Sequence, residues 1–179
     1  MNRKNQTVNL VMTGLCIAIG IVLPLALHSI PDAGSVLLPM HIPVLLCGLI
    51  CGPLYGLACG LLAPFLSSVI TQMPPMAYLP SMLCELAVYG LIAGLFIRLI
   101  RTKWTVMNIY VSLVAAMLCG RVIYGVINAL IFRAGSYSMQ LWLTASFVTA
   151  LPGIVIQLVV LPALVLLLQK AGLIQYERA

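Results

Sequence analysis

Residues 39–95 read PMHIPVLLCGLICGPLYGLACGLLAPFLSSVITQMPPMAYLPSMLCELAVYGLIAGL. Two apolar runs meet at the tight Gly52-Pro53 turn. A polar exit follows at Ser67, Ser68, Thr71 and Gln72. A loop with Pro74, Pro75 and Pro80 leads into a longer apolar run that carries a single acid, Glu85. An ionisable residue inside hydrocarbon is costly and marks function by default. Hydrophobic segments broken by Gly and Pro beside such a residue point to a binding site rather than a plain anchor.

The rest of the chain has the same character. Its 179 residues are 63% hydrophobic and only 7% charged, against about 25% charged in an ordinary soluble domain. The polar surface of a water-soluble globule is missing, and no polar segment is long enough for a separate soluble domain. One integral-membrane domain over 1–179 is expected. The net charge of +6 does not indicate nucleic acid, because the basic residues stand at the ends of apolar runs and no basic patch is interleaved with aromatics. They suit anchoring at a bilayer surface.

Six spans are expected, over 7–27, 40–51, 54–71, 81–100, 108–132 and 145–169, with the second too short to cross upright the ~20 residues' depth of a bilayer. The fold class is an all-α membrane protein. Arg3 and Lys4 before the first run resemble a signal peptide, but the run exceeds an h-region of about 7–15 residues and no clear cleavage site follows. It reads as a retained first helix. Arg3, Lys4, Arg98, Arg101, Lys103, Lys170 and Arg178 collect on one side, and Arg133 stands alone on the other. The positive-inside rule then makes both termini cytoplasmic. The Gly52-Pro53 turn is cytoplasmic too, and the loops at 28–39, 72–80 and 133–144 face outward. Tyr137 and Trp142 in the last of these suit a headgroup region.

Glu85 and Arg121 are the sharpest pair. Glu85 lies roughly 8 Å in from the outer end of its span, and Arg121 roughly 20 Å in from the inner end of its own. In a core ~30 Å thick the two reach similar depth. They either pair with each other, as a clamp between two helices, or bind opposite ends of a solute. Tyr124 and Asn128 follow Arg121 on the same face, and Tyr89 follows Glu85 by one turn. Each is a candidate ligand contact or a helix–helix hydrogen bond. His41 is an interfacial or capping histidine or a ligand contact, and Gln157, mid-membrane in the last span, either packs or reaches a pocket.

Pairs of small residues at GxxxG spacing, Gly56/Gly60 and Gly90/Gly94, let helices approach closely. Gly14 and Ala18 form a similar pair on the first span, suited to packing in the bundle or docking another membrane subunit. The six cysteines all fall in apolar runs with no CxxC pair and read as small packing residues. No metal site is supported, since His28, Asp32 and His41 have the wrong spacing and neighbours. HExxH, GxSxG and P-loop motifs are absent, and the GSYS at 135–138 has no plausible base. No enzyme and no cofactor are expected.

The order of these features resembles the substrate-binding S component of energy-coupling factor (ECF) vitamin transporters. The likeness runs over nearly the whole chain. It is carried by the first-span opening LVMTGLCIAIGIVLPLAL, by HIPVLLCGLICGPLYGLACGLLAPFLSS and by ELAVYGLIAGL. The I-P-x-L-L-x-G-x-x-x-G-P-x-x-G pattern is similar to that of several such components. The resemblance implies a high-affinity vitamin binder in a bacterial or archaeal plasma membrane. It would work with a transmembrane T component and two ATPase subunits. The resemblance implies a pocket near the outer face, lined by spans four to six and covered by the 28–39 and 72–80 loops, where Glu85, Arg121, Tyr124 and Asn128 fall. It also implies docking of the T component through an Ala-xxx-Ala motif, matched here by Gly14 and Ala18, small for small. The whole subunit is expected to topple in the membrane to turn its pocket inward. The runner-up is a stand-alone secondary transporter or channel for a small solute, although no inverted repeat is evident. One cation and one anion suit a carboxylated, pantothenate-like solute. If the two neutralise each other, a neutral heterocycle of pyridoxine or queuine type fits as well.

Overall fold

The structure is a computed structural model that describes residues 3–30, 32–100, 104–132 and 138–172. It is 86% helical and, among the described residues, has no strand. The helices are α1 (Arg3–Ala26), α2 (Ala33–Leu37), α3 (His41–Cys51), α4 (Pro53–Thr71), α5 (Leu79–Leu99), α6 (Thr105–Ile127), α7 (Met139–Leu143) and α8 (Leu151–Lys170). A π-helical turn extends α6 over Asn128–Phe132, and a second, Thr144–Thr149, links α7 to α8. Six stretches are long and apolar enough to cross a membrane, in agreement with the expected six spans. The second is Ala33–Cys51, which joins α2 to α3. Its chain bends at Leu38, which sits in the left-handed region at φ 51°. The 28–39 loop is therefore partly helical. Arg101, Lys103, Arg133, Tyr137 and Arg178, used in the charge and loop readings, lie outside the described residues, as does most of the GSYS stretch.

The bundle is built on α5, which packs against α3, α4 and α6. The reason is in its glycines. A Cβ on Gly90 would meet the Gly56 Cα at 2.9 Å, and one on Gly94 would meet the Pro53 Cα at 2.7 Å. A Cβ on Gly56 would meet the Gly48 Cα at 2.7 Å, and one on Gly60 would meet the backbone of Leu86 and Ala87. The two GxxxG pairs thus face each other, and α3, α4 and α5 touch backbone to backbone. Dispersion and close fit hold helices together in lipid, where burial of apolar surface gives little drive. Around them, α1 lies on α3 and α4, while α8 lies on α2, α3 and α6.

Burial is greatest in the second span and least in the first. In the second span 61% of the residues are buried, against 17% in the first. Leu10, Val11, Leu54, Val69, Ile70, Leu99, Leu130 and Val159 point outward. In a membrane protein that surface faces acyl chains, so exposed leucine carries no penalty.

At one end, Gly52 turns the chain with φ 99°, a conformation glycine adopts without strain. The Arg98 Nη2 donates to the Cys51 carbonyl at 3.0 Å and closes the C-terminus of α3. At the other end, the Ser68 hydroxyl donates to the Pro74 carbonyl at 2.9 Å, and the Met73 amide donates to the Thr71 hydroxyl at 3.3 Å. The polar exit of α4 ties the proline-rich loop onto the bundle. All six cysteines are free. The buried Cys47 thiol lies 3.5 Å from both the Thr13 hydroxyl and the Tyr55 carbonyl, filling space between α1, α3 and α4.

Candidate functional site

Most buried hydroxyls in this chain are satisfied locally. Thr13 donates to the Asn9 carbonyl at 2.7 Å, Ser112 to the Asn108 carbonyl at 2.7 Å and Ser81 to the Tyr78 carbonyl at 3.0 Å. This back-bonding to a nearby carbonyl is the ordinary fate of Ser and Thr in a helix.

A second group of buried polar side chains behaves differently. His41 at the start of α3, Glu85 on α5 and Arg121 on α6 converge from three helices. The Arg121 Nη1 lies 3.2 Å from the Glu85 Oε1, and the His41 Nε2 lies 3.7 Å from the same oxygen. All three residues are at most 6% exposed. The Tyr89 ring meets His41 edge-on at 5.1 Å, and its phenol lies beside Glu85 and Arg121. Gly120 makes room for that ring, which a Cβ there would touch at 3.0 Å. Both imidazole nitrogens, the Glu85 Oε1, and the Arg121 Nε and Nη2 are buried without a hydrogen-bond partner among the described residues. The same holds for the Ser146 Oγ and the Gln157 Nε2. Ser146 lies on the π-helical turn, and Gln157 lies on α8, which packs against α3 and α6.

Buried polar atoms are normally paired, and each exception calls for an explanation. Here the exceptions share one chemistry. Ionic or hydrogen-bonding groups are buried in an apolar bundle, partly in ionic contact with one another, with hydrogen-bonding capacity left over. Such a set can receive a small polar solute.

The sequence candidates divide on this geometry. Glu85, Arg121, His41 and Tyr89 come together. Gln157 is buried in the last span, as expected. Asn128 is buried too, but its Nδ2 donates to the Tyr124 carbonyl at 2.8 Å, so that donor is bound within its own helix. Tyr124 is half-buried. Two further residues carry no sequence signal for this site. One is Ser146, in a stretch with no distinctive pattern. The other is Trp142, which suits a headgroup region by type. The structure instead has its indole Nε1 donating to the Arg121 carbonyl at 3.0 Å, with the ring over Gly125 and edge-on to Phe147 at 5.7 Å. Only the tertiary fold brings α7 back onto α6. Gly14 and Ala18 lie on the outward face of α1, and a Cβ on Gly14 would meet nothing within 4 Å.

No group of three or more potential metal ligands is present among the described residues. The site is a buried polar cluster in a helical bundle, and the chain is a multi-pass membrane protein.

The family model described as ECF transporter, substrate-specific component, matches residues 8–165. The chain belongs to that family and is a substrate-specific membrane subunit of an ECF transporter, a transport subunit rather than an enzyme. No curated protein and no solved structure matches it.

Proposed function

We propose that this chain binds a vitamin or vitamin precursor with high affinity inside the bundle and delivers it for uptake with an ATP-driven module. The observation that supports this most is the convergence of His41, Glu85 and Arg121, buried and with hydrogen-bonding atoms unused. Such atoms destabilise a protein that never receives a ligand. A solute that completes them turns that cost into affinity. Tyr89 and Gln157 belong to the same chamber, and Tyr124 and Asn128 border it on the α6 side. The 28–39 and 72–80 loops cover it from outside.

The partners are a transmembrane T component and two ATPase subunits in a bacterial or archaeal plasma membrane. The T component docks on α1 at Gly14 and Ala18. This is supported by the low burial of α1 and the open space at Gly14, because a small-residue face lets a second helix approach closely.

The experiment is a thermal-shift screen of the purified protein in detergent against B vitamins and their precursors. A ligand that binds only the folded state raises the melting temperature by mass action. A large shift with one compound is expected. A chain stabilised by no small solute, and purifying tightly with another protein instead, would be a structural subunit.

A further inference from the structure

The ionic contact inside the bundle bears on which solute enters it, given the binding role proposed above. Arg121 and Glu85 already neutralise each other at 3.2 Å. The contact uses the guanidinium through Nη1. The Nε and Nη2, which share one edge of that planar group, are left without partners. That edge is the two-donor fork of arginine, shaped to meet two adjacent acceptor atoms.

Two kinds of solute can satisfy both donors. One is a carboxylate. The other is uncharged: a ring carbonyl beside an unprotonated ring nitrogen, or a single amide oxygen that accepts from both donors through its two lone pairs. They differ in charge, and the chamber distinguishes them. A carboxylate would bring a second anion beside Glu85, which is 4% exposed, against one arginine and an imidazole, His41, that counters it only when protonated. An unbalanced charge is costly in a buried, apolar setting. An uncharged group keeps the balance.

The Glu85 Oε1, in ionic contact with the Arg121 Nη1 but without a hydrogen bond, has lone-pair capacity to accept an N–H or O–H from the same solute. We infer that the natural ligand is an uncharged, acceptor-rich heterocycle or amide, gripped by the Arg121 fork and donating one hydrogen bond to Glu85.

Matched pairs test this: nicotinamide and nicotinate, uracil and orotate, pantothenol and pantothenate, biotinamide and biotin. Each is titrated into the full chain in detergent at pH 7, with melting temperature as the readout. For any pair that binds, the uncharged member is expected to act at a concentration at least tenfold lower. In Glu85→Gln the chamber carries a net positive charge, and the preference is expected to move at least tenfold toward the acid. A carboxylate that binds the unaltered protein more tightly than its partner overturns the charge inference while leaving the binding role standing. An unchanged preference in Glu85→Gln also overturns it. The comparison within the unaltered protein decides the matter even if that variant fails to insert. If none of the four uncharged compounds shifts the unaltered protein, the charge inference falls, while the binding role is decided by the vitamin screen above.

Discussion

Arg121 is the residue on which the binding reading rests most heavily. Replacing it with Ala should weaken ligand binding by over tenfold, about 1.4 kcal/mol. Unchanged affinity, measured by titration, would remove it from the site. The substitution also leaves Glu85 buried without its partner, which typically costs about 3–5 kcal/mol of stability. Binding and folding can be separated with methionine. Arg121→Met alone should lower the melting temperature on the order of 10 °C. The double replacement Glu85→Met with Arg121→Met should recover most of that loss, because a well-packed apolar pair often matches a buried ion pair. If the pair is only a clamp, the double variant still binds ligand. The binding role predicts that it does not.

Helices meet in this bundle in two ways, and substitutions should separate them. Where α4 and α5 touch backbone to backbone, there is no room for one carbon. Gly90→Ala should cost about 1–3 kcal/mol and reduce the yield of folded protein, because its Cβ would lie 2.9 Å from the Gly56 Cα. On α1, Gly14→Leu should leave both folding and binding intact, since the site is open. Assembly with the T component should be lost, and normal co-purification of that variant would exclude docking through this face. The α7 strap is a third case. Trp142→Phe keeps an aromatic ring over Gly125 but removes the N–H to the Arg121 carbonyl. A lost hydrogen bond of this kind costs about 0.5–1.5 kcal/mol. A parallel, few-fold fall in affinity would show that the strap also positions Arg121.

Orientation and energy coupling belong to the whole assembly. Arg98 and the Gly52-Pro53 turn meet at one end of the bundle through the bond to the Cys51 carbonyl. The 72–80 loop is tied to the opposite end of α4. The positive-inside rule assigns the Arg98 end to the cytoplasm. Tags on both termini should therefore resist an impermeant protease in intact cells and be cut only after permeabilisation. Cleavage of either tag in intact cells would reverse the orientation. Cells that make this chain alone should bind the solute without accumulating it. Accumulation should require the T component and the ATPases.

The class of protein and its six spans were readable in the linear chain, because a bilayer demands length and apolarity that no folding detail can hide. The glycine pairs were readable for a similar reason, since only residues without side chains permit backbones to touch. Glu85 and Arg121 stood out as rare charges in hydrocarbon, and their matching depth followed from helical rise alone. Whether they touch each other did not follow, because rise along a helix says nothing of which faces turn together. The bundle decided that, placing them 3.2 Å apart with the guanidinium fork unused. It also added His41 from the short third helix, bound the Asn128 amide into its own helix, and carried Trp142 back onto the Arg121 carbonyl. These are contacts between residues far apart in the chain or matters of rotamer. They are set by how the helices pack, which local sequence pattern does not specify.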